Sequence, residues 1–350
     1  MGHGPSYRSK RMKSMLTLVR MLLCLALCCG GWQRAEAAVA LIYHRFDDNR
    51  YPSTNLSLAT FRQQLEWFVE NRFEVWPASR LVAQMDAGAE IPDRLAVITI
   101  DDGYRSLLGA AHLLQQFDFP FSVFVSTNGV DQGVPDLLDW DALRQLCDQG
   151  AEILNHAMDH DSLLARPGES DAERRTRILQ QVEGAQARIE AELPATCRKR
   201  IFSYPYGEFD RLAEETLAGA GYAAFGQQSG SVAPWNSRQA LPRFPVNQAY
   251  SESASLQVKL LSLPFPDVLE RHDSLVADNP PLLRLRHFPQ INAVRCFEGS
   301  GQPLVRLVEG GEYLFRAAEP LAPGRNRYNC TYPSGDGERY HWVSQFWYVP

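Results

Sequence analysis

From Ala38 to about Ser262, short apolar runs alternate with segments whose apolar residues recur every three or four positions. Val39–Tyr43, Leu95–Ile100, Phe121–Val125, Ala151–Leu154, Ile201–Tyr204, Tyr222–Phe225 and Leu241–Val246 read as strands. Phe61–Asn71, Arg105–Phe117, Trp140–Gln149, Asp171–Glu192 and Arg211–Ala220 read as helices. The spacing places Phe61, Leu65, Phe68 and Val69 on one helical face. Ser170 or Asp171 caps the long charged helix and Pro194 stops it; Gly221 ends the last one. Strands separated by helices predict an α/β fold, with a parallel sheet or barrel of βα units.

The pattern changes after about Phe265. Helical periodicity disappears, and 264–281 reads as a linker rich in proline. Leu282–Phe288, Val305–Val308, Tyr313–Arg316 and His341–Tyr348 are short candidate strands separated by glycine- and proline-containing turns. The expected organisation is a leader over 1–37, an α/β domain over 38–263, the linker, and an all-β accessory sandwich over 282–350. The accessory region is rich in aromatics, among them Tyr328, Trp342, Phe346 and Trp347. Most are expected in its core, and an aromatic platform for sugar rings is the alternative.

The leader reads as a secretory signal peptide. Arg8, Lys10, Arg11 and Lys13 precede a short apolar run from Met21 to Gly31, and Ala35-Glu36-Ala37 is a small-x-small cleavage pattern. Met12 and Met15 are alternative starts, and a lipidated Cys28 is the weaker alternative to cleavage. No later stretch is apolar and long enough to span a bilayer, so an exported monomer, periplasmic or extracellular, is expected. Without the leader the charge balance is 29 basic against 40 acidic residues, a net of about −11. That excludes a nucleic-acid partner, which requires a basic footprint. Cys147, Cys197, Cys296 and Cys330 remain of the seven cysteines. Cys296–Cys330 is the preferred disulfide, since both lie in the C-terminal region; for Cys147 and Cys197, pairing and buried free thiols stay open.

Three segments carry candidate chemistry, all at ends of strand-like runs, where βα loops converge on one mouth. Thr99-Ile-Asp-Asp-Gly-Tyr104 supplies two carboxylates. They share a mouth only if the chain turns there, which Gly103 permits. His156-Ala-Met-Asp-His160 supplies two imidazoles that would face the same way on one helical turn, with Asn155 or Asp159 placed to orient a ring. Phe202-Ser-Tyr-Pro-Tyr-Gly207 ends a strand in a turn that can present the Tyr206 N–H to an oxyanion. One carboxylate and two imidazoles make a three-ligand metal set, leaving the second carboxylate as a base.

In this order and spacing the three segments resemble the polysaccharide deacetylases, the carbohydrate esterases with a NodB-homology domain, over about 38–250. The resemblance implies a distorted (β/α) barrel. It implies Asp101 as catalytic base, Asp102, His156 and His160 as ligands of a divalent ion such as zinc, and Tyr206 as the oxyanion amide. Tyr104, Tyr204 and Pro205 are expected to contact substrate. Two features depart from the family pattern. The arginine that usually opens the third motif is replaced by Ser203, and Arg243 is the candidate substitute for orienting the base. The late Leu-x-His motif has no match inside the domain, but Leu41-Ile-Tyr-His44 has the right form at its start. That layout is similar to the permuted periplasmic poly-N-acetylglucosamine deacetylases and makes His44 the candidate acid.

The expected function is metal-dependent hydrolysis of N-acetyl groups on a cell-envelope or extracellular polysaccharide. An O-deacetylase or amidohydrolase on another substrate is the enzymatic alternative, and a glycan-binding barrel without turnover the non-enzymatic one. A glycosidase is a poor fit, because adjacent carboxylates cannot flank a glycosidic bond at the needed ~5 Å or more.

Overall fold

The computed structural model describes Met1 and residues 37–350, apart from Glu252, Arg271 and His272. The expected leader therefore lies outside the described residues save for Met1 and Ala37. The α/β part contains β1 (Ala38–Tyr43), β2 (Arg45–Phe46), β3 (Asn55–Leu56), α1 (Leu58–Glu70), β4 (Glu74–Trp76), α2 (Ala78–Asp86), β5 (Leu95–Ile100), α3 (Leu107–Gln116), β6 (Ser122–Val125) and α4 (Thr127–Asp131). It continues with α5 (Trp140–Asp148), β7 (Glu152–Asn155), α6 (Asp171–Glu192), β8 (Ile201–Ser203), α7 (Arg211–Gly219), β9 (Ala223–Phe225), β10 (Phe244–Pro245) and α8 (Ser253–Leu260).

The main sheet runs β10-β1-β5-β6-β7-β8-β9, with β4 beside the first half of β5. Every pairing in it is parallel. Phe225 in β9 bridges Leu241, three residues before β10, and β10 pairs with β1. Both ends of the sheet thus meet on residues 241–245, and the sheet curls into the distorted (β/α) barrel expected from the sequence. No helix among the described residues is long and apolar enough to cross a membrane.

Strand periodicity decides what reaches the barrel interior. Val39, Leu41 and Tyr43, with Ala96, Ile98 and Ile100, pack outward against α1 and α3. Ala38, Ala40, Leu95, Val97, Phe124, Leu154, Ile201, Phe225 and Leu241 fill the inner side. Continuing the inner parity past the strand ends reaches His44, Thr99, Asp101, His156, Ser203 and Arg243. The barrel's apolar filling therefore gives way at its C-terminal mouth to a polar layer drawn from the same strand faces.

Two local readings are corrected. Helix α1 starts earlier than its apolar spacing suggests, because Ser57 caps it by accepting the Thr60 N–H at 3.0 Å. Its inner face holds Gln64, which accepts from the Tyr43 hydroxyl at 2.9 Å, while Val69 is 55% exposed. Helix α6 keeps the expected bounds, closed at its start by a Ser170–Glu173 capping box.

The C-terminal strands β11 (Leu263–Pro264), β12 (Leu283–Leu285), β13 (Arg295–Glu298), β14 (Val305–Glu309), β15 (Glu312–Arg316), β16 (Gly324–Pro333) and β17 (Tyr340–Val349) form two sheets, β11-β17-β16-β13 and β12-β15-β14. Between them lie Leu285, Phe315, Tyr328, Cys330 and Trp347. Residues 264–281, read as a linker from composition, are tied into this sandwich. Phe265 and Val276 join its core, and Leu269 and Leu275 bridge Leu285 and Tyr348. The sandwich rests on the barrel through Trp342, edge-on to Phe244 at 5.2 Å, and through Arg339, which donates to both Asp93 carboxylate oxygens at 3.0 and 2.8 Å. Disulfides join Cys296 to Cys330 and Cys147 to Cys197.

Arg174 on α6 donates to both carboxylate oxygens of Asp210 at 2.6 and 2.7 Å, with both side chains buried. Asp210 also caps α7 by accepting the Ala213 N–H at 3.0 Å. Replacing Arg174 by Met leaves that carboxylate buried without its partner. The expected loss is about 3–5 kcal/mol of unfolding free energy, read from chemical denaturation; a loss within error of zero would show the pair to be structurally dispensable.

Candidate active site

Asp101 is fully buried, and its carboxylate accepts three hydrogen bonds from two side chains. Arg243 donates to both of its oxygens, Nη1 to Oδ1 at 2.7 Å and Nη2 to Oδ2 at 2.8 Å. The Ser203 hydroxyl donates to Oδ2 at 3.0 Å and accepts from Arg243 Nη2 at 2.6 Å. Arg243 Nε donates to the Gly226 carbonyl at 2.8 Å, and Nη1 to the Thr99 hydroxyl at 3.0 Å. Arg243, the sequence candidate for orienting the base, is thus bound directly to Asp101. Ser203 is small enough to admit it and adds a hydrogen bond that the sequence did not reveal. Burial pushes the Asp101 carboxyl up, but the Arg243 guanidinium and His156 outweigh it and hold it below the ordinary carboxylate value. The group is an anion at neutral pH.

Asp102 does not continue the strand. Its φ of 71°, followed by 69° at Gly103, turns the backbone so that consecutive carboxylates serve one mouth. The imidazoles are not on a helix, contrary to the expectation from their spacing. They sit on a loop after β7 in which Ala157 and His160 take φ of 68° and 57°. Asn155 braces that loop, donating to the Val182 carbonyl at 2.8 Å and accepting the Ala157 N–H at 2.9 Å. The rings of His156 and His160 come to 4.8 Å centroid to centroid.

The ligand atoms of Asp102, His156 and His160 lie within 4.8 Å of one another. His156 Nδ1 lies 2.7 Å from the Ser203 carbonyl, which assigns its proton to that nitrogen and leaves the Nε2 lone pair facing the cluster. Asp102 Oδ1 is 3.3 Å from His156 Nε2 and 3.1 Å from His160 Nε2, yet it is buried and accepts no hydrogen bond among the described residues. Lone pairs converging on an orphaned carboxylate oxygen fit a divalent cation. The Ser203 carbonyl was missed from sequence, because a backbone acceptor leaves no residue signature.

His44 follows β1 and is partly buried. Burial pushes its imidazole below the ordinary value, while the Asp102 and Asp101 carboxylates pull the other way. It thus shares the field of the cluster. Tyr206 takes φ of 60° in the turn after β8. The turn's hydrogen bonds run from Gly207 N–H to Tyr204 O and from Glu208 N–H to Pro205 O, which leaves the Tyr206 N–H out of them. Its ring packs edge-on to His160 at 4.6 Å. Tyr104 lies under the Arg45 guanidinium, 3.4 Å above its ring, and burial together with Asp102 pushes its hydroxyl up to about 12.

Two expected substrate contacts are corrected. Tyr204 is fully buried, stacks on Phe209 at 4.8 Å and donates its hydroxyl to the Gln239 carbonyl at 2.9 Å. Pro205 is also buried. Strand alternation sends Tyr204 outward from the barrel, opposite to Ser203, so it packs under α7 rather than lining the mouth.

The curled parallel sheet, with the carboxylate–imidazole cluster at its mouth, has the fold of solved NodB-type deacetylases. Residues 88–225 match the model of the polysaccharide deacetylase family. The poly-beta-1,6-N-acetyl-D-glucosamine N-deacetylase of Escherichia coli (strain K12) is 23% identical over 246 residues, 59% of this chain and 36% of that protein. The chain spans about a third of the length of this curated relative. Among solved structures, IcaB from Ammonifex degensii aligns with a TM-score of 0.56 at 19% identity, covering 65% of this chain and 99% of that one. The Streptococcus pyogenes deacetylase PplD, solved in complex with acetate, aligns with a TM-score of 0.56 at 15% identity, covering 63% and 97%.

Because Arg243 is what holds Asp101 ionised against burial, weakening the pair should raise the carboxyl's pKa. In Arg243→Lys the bidentate contact is lost, and protonation of Asp101 should begin at higher pH than in the parent. Carbon-13 NMR of aspartate-labelled protein reads this directly. An unmoved titration would mean that the hydrogen bond from Ser203 is sufficient by itself.

Proposed function

We propose that this protein is a metal-dependent N-deacetylase of an N-acetylated glycan, of the poly-N-acetylglucosamine type. In this reading it is a hydrolase of non-peptide carbon–nitrogen bonds. The observation that carries it is the buried, bidentately held Asp101 directly beside the three-ligand cluster. A glycan-binding barrel has no use for a desolvated carboxylate fixed next to converging imidazoles. The curated relative named for the same reaction supports the substrate class. We further assign the leader to export, which places the protein in the periplasm or outside the cell.

Asp102, His156 and His160 would hold the divalent ion, zinc by the nitrogen and oxygen character of the set. When bound, it would supply Lewis acidity to the acetamide carbonyl and acidify water. Asp101 takes the proton of the attacking water, since Arg243 keeps it ionised and immobile. The Tyr206 N–H donates to the oxygen on which negative charge develops. His44 gives a proton to the leaving nitrogen, and the C–N bond breaks to acetate and a free amino sugar. Each proton-transfer group is worth about 10²–10⁴-fold.

Acetate release across poly-N-acetylglucosamine, chitin fragments, peptidoglycan and an O-acetylated polymer tests the reading. Release from an N-acetylated polymer, abolished by a chelator and restored by zinc, is expected; release from the O-acetylated polymer alone would favour the esterase alternative. Metal analysis of the purified protein should find about one divalent ion per chain, as three converging ligands require. That ion should be lost in a His156→Ala, His160→Ala double variant, and its retention there would place the site elsewhere.

For His44, the sign of the pH effect follows from its role as donor. Its protonated fraction falls as pH rises through its pKa, so the rate should fall on the alkaline side. His44→Ala should keep the metal, lose that limb, and be more impaired on acetamides than on an activated acetyl ester, whose leaving group needs no proton. Equal impairment on both would assign His44 a structural role.

A further inference from the structure

A second feature lies beside Tyr206. A cavity of about 420 Å³ opens between the Tyr206–Gly207 turn and Gln227 of the barrel on one side, and Glu298, Arg325, Asn326 and Arg327 of the sandwich on the other. The sandwich grips the turn itself. Arg325 Nη1 donates to the Tyr206 carbonyl at 3.2 Å, its guanidinium lies 5.6 Å from the Tyr206 ring centroid, and its Nε is 3.7 Å from Glu208. The far wall is held in place as well. The Gly299 N–H donates to the Arg327 carbonyl at 2.9 Å, and a Cβ at Gly299 would come within 3.2 Å of the Arg327 side chain. A side chain there would require the Arg327 stem to give by a few tenths of an ångström.

We propose that this cavity is a sugar subsite, which takes the unit of the glycan next to the one being deacetylated and draws one wall from the C-terminal sandwich. The proposal rests on the deacetylase reading. Tyr206 borders both the cluster, through His160, and the cavity, so a chain held at one continues into the other. Volume and lining suit a sugar ring. Small-molecule sites occupy about 300–1,000 Å³. Guanidinium forks, the carboxamides of Gln227, Gln228 and Asn326, and a carboxylate match hydroxyls and an acetamide carbonyl, and the half-exposed Tyr206 ring offers an apolar face. An acetamide carbonyl can accept from these guanidinium and carboxamide donors and an ammonium group cannot, so the unit taken is still N-acetylated rather than already a free amine.

The test uses the full chain and a substitution at Ser300, an exposed residue at the cavity rim whose enlargement need not disturb the core. An N-acetylglucosamine pentamer is titrated calorimetrically into Asp101→Asn and into Asp101→Asn with Ser300→Trp. The filled cavity should weaken pentamer binding tenfold or more, and Arg327→Ala in place of Ser300→Trp should weaken it in the same direction. The fully de-N-acetylated pentamer should bind the unfilled protein at least tenfold more weakly. Unchanged pentamer affinity in the Ser300→Trp protein overturns the subsite, as does tighter binding of the amine form. Turnover separates this failure from that of the deacetylase reading. If the parent protein releases no acetate from any glycan or acetyl ester, the reading falls. If it does, the subsite further requires that Ser300→Trp lower kcat/KM for the pentamer, relative to a small acetyl ester, by tenfold or more.

Discussion

The buried ion pair between Arg243 and Asp101 is the constraint around which the barrel mouth is arranged. A carboxylate stripped of water costs several kcal/mol unless a fixed counter-charge and hydrogen bonds replace its solvation. Here one guanidinium does most of that, and its remaining donors reach the Thr99 hydroxyl, the Ser203 hydroxyl and the Gly226 carbonyl. Those partners belong to β5, to β8 and to the residue after β9, while Arg243 precedes β10. The pair thus fastens both ends of the curled sheet at the level where the chemistry sits. Barrel closure and the ionisation of Asp101 are one arrangement, and neither can be altered without the other.

Around that pair, backbone conformation rather than helical or strand geometry aims the remaining groups. Asp102, Ala157, His160 and Tyr206 all take positive φ without being glycine, and all lie just beyond strand ends. Left-handed backbone at such residues costs on the order of 1–3 kcal/mol each and persists only where the surroundings over-determine it. The Asn155 brace, the Ser203 carbonyl on His156 and the Arg325 contact on Tyr206 are those surroundings. The accessory sandwich therefore takes part in shaping the mouth.

Much of this was legible in the chain. Period-two and period-3.6 patterns found the buried strands and, with its cap, the whole of α6, because apolar patterning and capping are local signals. Arg243 was legible only as a departure from a motif. Its geometry depends on barrel closure, which no local pattern encodes. The misses share that origin. The His156–His160 spacing matched a helical turn, but a left-handed loop achieves the same convergence. Tyr204 lies in a motif beside functional residues, yet strand alternation turns it outward. The linker-like composition of 264–281 concealed Phe265 and Val276, whose burial depends on strands far along the chain. For Cys147 and Cys197, separated by 50 residues, only the assembled fold shows that they meet.

That last crosslink encloses more than structure. The 147–197 loop contains β7, His156 and His160 and the whole of α6, so two of the three candidate ligand side chains hang on a covalently closed segment. Thiols in a reducing compartment stay open, and the same segment is then held by packing and hydrogen bonds alone. The chain consequently carries a maturation step in its architecture. The imidazole-bearing loop reaches its fully tethered form only after oxidation.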